Sequence, residues 1–220
     1  SLEMAVVSAS ISERPVEEEV VPIEVLKPYL ASSTNAVGLK GLVGKTSGVS
    51  IMDSQVSIRG GSGYSYGVGS RVSLLLDGMP LLSGDMGEIW WSYLPMEHIG
   101  QVEVIKGAAS SLYGTSASNG VIHFRTVWPG TKPETVISAF NGVYSSPAND
   151  AWRWWDHSYS QILNGASISH TQAWDKVDLV IGGNVLSDKT YLSVGHEQRA
   201  RVSAKLRFRP KGGLLFGLSG

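Results

Sequence analysis

The chain has 220 residues, a formal net charge of −1 and no cysteine. That excludes disulfides, thiolate nucleophiles and cysteine-held metals, and gives no bulk electrostatic pull toward nucleic acid or an anionic surface. No run of about 18 apolar residues occurs, which excludes a transmembrane helix but says nothing of a membrane β-barrel.

The 26 glycines, against roughly 7 % in average usage, predict short strands joined by turns. Residues 1–19 run from "LEMAVVSAS" into "ISERPVEEE", where Pro15 and three glutamates make a poor core, so an extended arm is expected. Met4 is internal and no signal sequence is visible, which predicts a mature form or a fragment, with Ser1–Glu3 readable as a cloning scar. Over 20–130 the segments are short. Strands are predicted at "VPIEVL" (21–26), "VSIRG" (56–60), "RVSLLLDG" (71–78), "VEVI" (102–105) and "GVIHFRT" (120–126), with a small helix and turn over 34–49. In "VEVIKGAASSLYG" (102–114) a strand ends at Gly107. Ala108, Ala109, Ser110 and Ser111 then predict a small-sided helix lying close to its own sheet, with corners at Gly107 and Gly114.

The second half changes period. Arg199, Arg201, Ser203, Lys205, Arg207 and Arg209 alternate with Ala200, Val202, Ala204, Leu206 and Phe208, which predicts a strand with one wet and one apolar face. Pro210–Gly213 is read as a turn and "LLFGLSG" (214–220) as the start of another strand. "NGASISHTQAW" (164–174) and "VDLVIGGNVLSD" (177–188) are joined only by Asp175 and Lys176, a two-residue hairpin connection. The links over 145–163 and 188–197 are long. Short turns on one side and long loops on the other describe the two rims of an outer-membrane barrel, with strands from 134 and 177 heading outward and those at 164 and 198 returning. The alternation over 134–146 is poor. From the cationic strand alone, a soluble sandwich with a solvated face fits equally; the loop asymmetry favours the barrel.

The order "VSIRG", "RVSLLLDGMP", then "LP" followed by "VEVIKGAASSLYGTSASNGVIHFRT" resembles the plug of TonB-dependent outer-membrane transporters. "LEMAVVSAS" is similar to the family's TonB box. The resemblance implies an N-terminal arm (1–19), an α+β plug domain (20–130) and the first strands of an antiparallel transmembrane β-barrel (131–220). A plugged lumen belongs to barrels of about 22 strands, so four strands and a beginning predict a fragment, an incomplete chain or a partner-dependent assembly. The implied function is a receptor of the bacterial cell outer membrane that binds a scarce nutrient at the surface and imports it with energy from the inner membrane. It implies no catalysis, no cofactor and no metal. The implied partners are TonB, outer-membrane lipid and a small-molecule or oligomeric nutrient, with a surface lipoprotein as a further candidate and no nucleic acid. Leu2, Glu3, Met4, Ala5, Val6 and Val7 would contact TonB by strand addition. Arg59 and Lys106 match plug cations that meet carboxylates on the inner barrel wall of relatives, and those carboxylates would lie beyond residue 220. Lys106 stands where Arg is common, and an ammonium lacks the bidentate fork. Glu103 would tie Arg59 or Lys106 within the plug; the plainer reading is strand-edge ion pairs worth under about 1 kcal/mol. After Gly107 the family usually has Pro where this chain has Ala108. Tyr64, Tyr66, Trp90 and Trp91 are the candidate ligand contacts, facing an outer vestibule, while Trp152, Trp154 and Trp155 suit interface or loop packing. An alternative reading is a plug-type interaction protein that blocks or gates a channel made by another polypeptide, and a third is a soluble glycan-binding module.

Other motifs dissolve on inspection. "GLVGKTSG" has Leu39 where a phosphate loop needs Gly, and "RGGSGYSYGVGSR" precedes no long helix. The five histidines are scattered, with no HExxH and no G-x-S-x-G elbow. Asp85 and Glu88 read as solvated loop charges.

Overall fold

The computed structural model describes residues 6–7, 14–15, 22–27, 38–52, 55–60, 71–81, 89, 91–155, 161–190, 196–209 and 216–219. They belong to two compact units, residues 1–127 and 128–220.

In the first unit, β1 (Val6–Val7) pairs antiparallel with β2 (Arg14–Pro15). β3 (Ile23–Leu26) is followed by α1 (Leu39–Gly44) and by a separate hairpin of β4 (Val49–Met52) and β5 (Gln55–Ile58). β6 (Val72–Leu76), β7 (Met79–Pro80), β8 (Ile99–Lys106), α2 (Ser110–Tyr113) and β9 (Gly120–Thr126) complete it. One mixed sheet runs β3-β8-β9-β6-β7, antiparallel except where β6 lies parallel to β9. Because strand side chains alternate, Leu26, Leu74, Val102, Val104, Ile122 and Phe124 bury on one face, in one cluster with Leu39, Leu42 and Val43 of α1 and Val56 and Ile58 of β5. Each such side chain contributes about 1.5–3 kcal/mol by leaving water. On the other face, Leu75, Ile105 and Val121 pack beside α2 with Ala109 and Ala117. Next to that patch the face turns polar.

Several predicted elements move. The helix expected over Ala108–Ser111 begins at Ser110, and a 3-10 turn, Thr115–Ala117, follows it. The close approach that needs small side chains is made by Ala109 and Ala117, whose backbones meet at 3.0 Å from Ala109 N to Ala117 O. Gly114 is required for its φ of +82°, since a Cβ there would meet nothing within 4 Å. True crowding occurs at Gly120, where a Cβ would lie 2.4 Å from the Ile105 carbonyl oxygen and 2.7 Å from Ile58 Cδ1. The helix predicted within 34–49 is confined to Leu39–Gly44, and Val49 already opens β4. β7 went unpredicted, although "DG" marks it: Asp77 and Gly78 have φ of 47° and 86°, as a two-residue turn with both residues left-handed requires.

The second unit is an antiparallel meander in chain order: β10 (Glu134–Val143), β11 (Ile162–Ala173), β12 (Val177–Asp188), β13 (Glu197–Phe208) and β14 (Phe216–Ser219). Trp174 N donates to Val177 O at 2.7 Å, closing the two-residue Asp175–Lys176 connection that the sequence predicts. The strand expected over 134–146 forms despite its weak alternation. The turn expected at Pro210–Gly213 lies outside the described residues.

Candidate functional site

Burial on the wall strands is inverted relative to a water-soluble sheet. Along β13 the charged positions Arg199, Arg201, Lys205 and Arg207 are half-buried, while Ala200, Val202, Ala204, Leu206 and Phe208 are exposed, Val202 at 79 %. The apolar stripe continues across the sheet, because Ala204 pairs with Ile181, Ala200 with Val185, and Val202 with Gly183, which itself pairs with Ile168. Ile168, Ile181 and Val185 are likewise exposed. A contiguous exposed apolar surface on a monomer marks contact with another apolar phase or partner. The soluble-sandwich reading required the charged stripe to be the solvated one.

The sheltered side is electrostatically organised. Asp178, only 1 % exposed, accepts from Arg207 Nε at 2.7 Å and from an Arg209 terminal nitrogen at 2.7 Å. Arg209 also donates to the Trp174 carbonyl at 3.1 Å. The Trp128 ring has Lys205 Nζ 3.8 Å from its centroid and the Arg207 guanidinium carbon at 4.1 Å, a cation–π arrangement on the aromatic face. Toward the long-loop rim, the Tyr144 hydroxyl donates to Asp188 at 3.1 Å. Charges away from bulk water persist only when paired in this manner.

In the first unit the latch residues separate. Lys106 Nζ lies 2.5 Å from Glu24 Oε2 and donates to the Ser47 carbonyl at 2.7 Å, and Lys106 N donates to Pro22 O at 3.0 Å, so this lysine fastens the edge strand β3. Glu103 does not tie Lys106 or Arg59, contrary to the sequence expectation. Three positions apart on one strand, Glu103 and Lys106 point to opposite faces, a signal the alternation already carried. Glu103, with no exposed side chain, instead accepts from Gln101 Nε2 at 2.9 Å and from Arg125 at 3.4 Å, and lies 3.7 Å from His123 Nδ1. Arg59 is exposed, sits at φ 53° and has no carboxylate partner among the described residues. The other predicted contacts are placed unevenly. Leu2, Glu3, Met4, Ala5, Tyr64, Tyr66 and Trp90 lie outside the described residues, as do Asp85 and Glu88. Val6 and Val7 form β1, with Val6 opposite Pro15 and Val7 opposite Arg14. Trp91 is half-buried and edge-on to Phe124, ring centroids 6.3 Å apart at 85°. Trp152 and Trp154 are exposed in the loop between β10 and β11. Among the described residues no group of three or more His, Asp or Glu could hold a metal ion.

Strands with an apolar outside and a charged, sheltered inside are the wall of a transmembrane barrel, here preceded in the chain by a small α+β unit. Residues 15–121 match the family model of the TonB-dependent Receptor Plug Domain. The chain is similar to the vitamin B12 transporter BtuB of Vibrio vulnificus (strain CMCP6), 27 % identical over 201 residues, covering 88 % of this chain and 31 % of BtuB. It is also similar to the ferric enterobactin receptor PirA of Pseudomonas aeruginosa, 27 % identical over 142 residues, covering 59 % of this chain and 18 % of PirA. Among solved structures, the siderophore receptor PirA of Pseudomonas aeruginosa has a TM-score of 0.69 at 16 % identity, covering 92 % of this chain and 35 % of that one. PirA of Acinetobacter baumannii has a TM-score of 0.67 at 16 % identity, covering 93 % and 31 %. At these identities the structural likeness is one of fold. These likenesses support a TonB-dependent receptor, with a plug domain over residues 15–121 followed by antiparallel strands that share the fold of receptor barrels. The chain spans about a third of the length of BtuB and of the Pseudomonas aeruginosa PirA structure.

Proposed function

We propose that the protein is a TonB-dependent receptor of the bacterial outer membrane that binds a scarce nutrient at the cell surface and imports it. The observation that carries this reading is the burial inversion on β13, where arginines are sheltered and Val202 is exposed, because water-facing strands are built the other way round. The cargo class is the one that the relatives' names bring, vitamin B12 or a siderophore. No bond in the cargo needs to break, so the activity is transport. Wall-type strands in the same chain as the plug weigh against the alternative in which another polypeptide supplies the channel.

Within this reading the arm, Leu2 to Val7, is the TonB contact. Val6 and Val7 already adopt strand geometry, and strand addition uses backbone hydrogen bonds, so a short apolar segment suffices. Of the three latch residues, Arg59 is the one available to a wall carboxylate, since Lys106 is engaged with Glu24 and Glu103 with its own sheet. Deleting residues 2–7 from the full-length receptor should abolish cargo uptake by cells while leaving surface binding of labelled vitamin B12 or ferric siderophore intact. Unchanged uptake would remove the arm from the mechanism.

A further inference from the structure

His123 is one of five histidines that the transport reading leaves without a role, and its surroundings give it one. Its side chain, 8 % exposed, faces the fully buried Glu103 across β8 and β9. Gly78 N lies 2.9 Å from His123 Nε2. A backbone N–H can only donate, so Nε2 holds a lone pair and the neutral ring carries its proton on Nδ1, the nitrogen 3.7 Å from Glu103 Oε2. Gly78 is the second residue of the left-handed Asp77–Gly78 turn between β6 and β7. The same turn is fastened to β9 a second time, through Asp77 Oδ1, which accepts from Thr126 N at 2.9 Å, and Asp77 Oδ2, which accepts from Thr126 Oγ1 at 2.6 Å. Asp77 N also donates to Phe124 O at 2.9 Å, so the turn is held to β9 at three points, and the one at Gly78 contains an imidazole.

We infer that His123, as its Nδ1–H tautomer, is a positioning residue for the Asp77–Gly78 turn, and that protonating the ring releases the turn from β9 at Gly78. The cause is local. Protonation converts Nε2 from acceptor to donor, so two N–H groups would face each other where one hydrogen bond stood. Among the described residues, Glu103 of β8 faces the ring, Arg125 of β9 reaches the same carboxylate, Lys27 joins that network through Gln101 at 3.4 Å, and Asp77 lies in the turn beside Gly78.

The test uses the full-length receptor in detergent micelles. Nitrogen-15 NMR of the histidine rings should show His123 as the Nδ1–H tautomer while the ring is neutral. Amide exchange of the peptide spanning Leu76–Leu81, corrected for intrinsic chemistry, should lose roughly tenfold protection in step with protonation of the ring as the nitrogen-15 shifts report it. His123→Gln offers a side-chain carbonyl acceptor that does not titrate, so it should keep the protection on both sides of that protonation. His123→Leu should lack it throughout. An Nε2–H tautomer, wild-type exchange unchanged across the ring protonation that nitrogen-15 follows, or His123→Gln following the wild-type profile would each overturn the inference. Should the variants fail to fold, the wild-type tautomer decides alone. Neither readout involves cargo, TonB or uptake, so the His123 contact and the transport reading can fail separately.

Discussion

Val202 is the sharpest place to perturb the wall. It lies near the middle of the twelve-residue β13 and is 79 % exposed. In water, substitution at so open a position shifts stability by no more than about 0.5 kcal/mol. Facing lipid at the bilayer midplane, an arginine there costs roughly 2–4 kcal/mol. Gln198 stands on the same stripe four residues away. That is about 13 Å along the strand and, at a tilt near 40°, roughly 10 Å in depth, close to the edge of an apolar band about 25 Å tall. Val202→Arg should therefore destabilise by about 3 kcal/mol and Gln198→Arg by under about 1 kcal/mol. The assay is reversible guanidinium unfolding of the full-length receptor in phospholipid vesicles, with midpoints compared at equal slope. Two variants within about 0.5 kcal/mol of each other and of wild type would refute the assignment of this stripe to lipid, since only depth in an apolar phase separates two exposed positions on one face.

On the sheltered side, Asp178→Asn should cost on the order of 2 kcal/mol in the same unfolding assay. This is below the 3–5 kcal/mol of a fully buried broken pair, because Arg207 and Arg209 retain 25 % and 41 % side-chain exposure and water reaches the stranded guanidinium groups. In the plug, Gly120→Ala forces a Cβ against the Ile105 carbonyl and should destabilise by about 2–3 kcal/mol, read as a lowered unfolding midpoint of that domain. Gly114→Ala, where space is open and only the left-handed backbone objects, should cost nearer 1 kcal/mol. Equal costs at the two glycines would contradict the separation of steric from backbone demand.

Much of the fold is legible because its signals are local. The two-residue connection at Asp175–Lys176 follows from chain length alone, and the alternation over Arg199–Arg209 follows from the pleat. The "DG" at Asp77–Gly78 carries an equally local signal, for the tight turn into β7. The site was less legible. Lys106 and Glu103 both stood out as charges in an apolar strand, but their partners, Glu24 at 2.5 Å and the Arg125–His123 pair on β9, come from strands distant in sequence. Sequence distance gives no account of which strand lies beside which.

What the sequence determined by itself is that β13 has two chemically different faces, that short and long connections alternate, and that the first half is a compact Gly-rich α+β unit. These rest on side-chain periodicity and turn geometry, which act over a few residues. Only the tertiary structure decided which face of β13 is sheltered, which partner holds Glu103, and that His123 presents a lone pair to Gly78. Those are fixed by pairing between strands many residues apart, and a period of two states that neighbours differ without stating which of them faces inward.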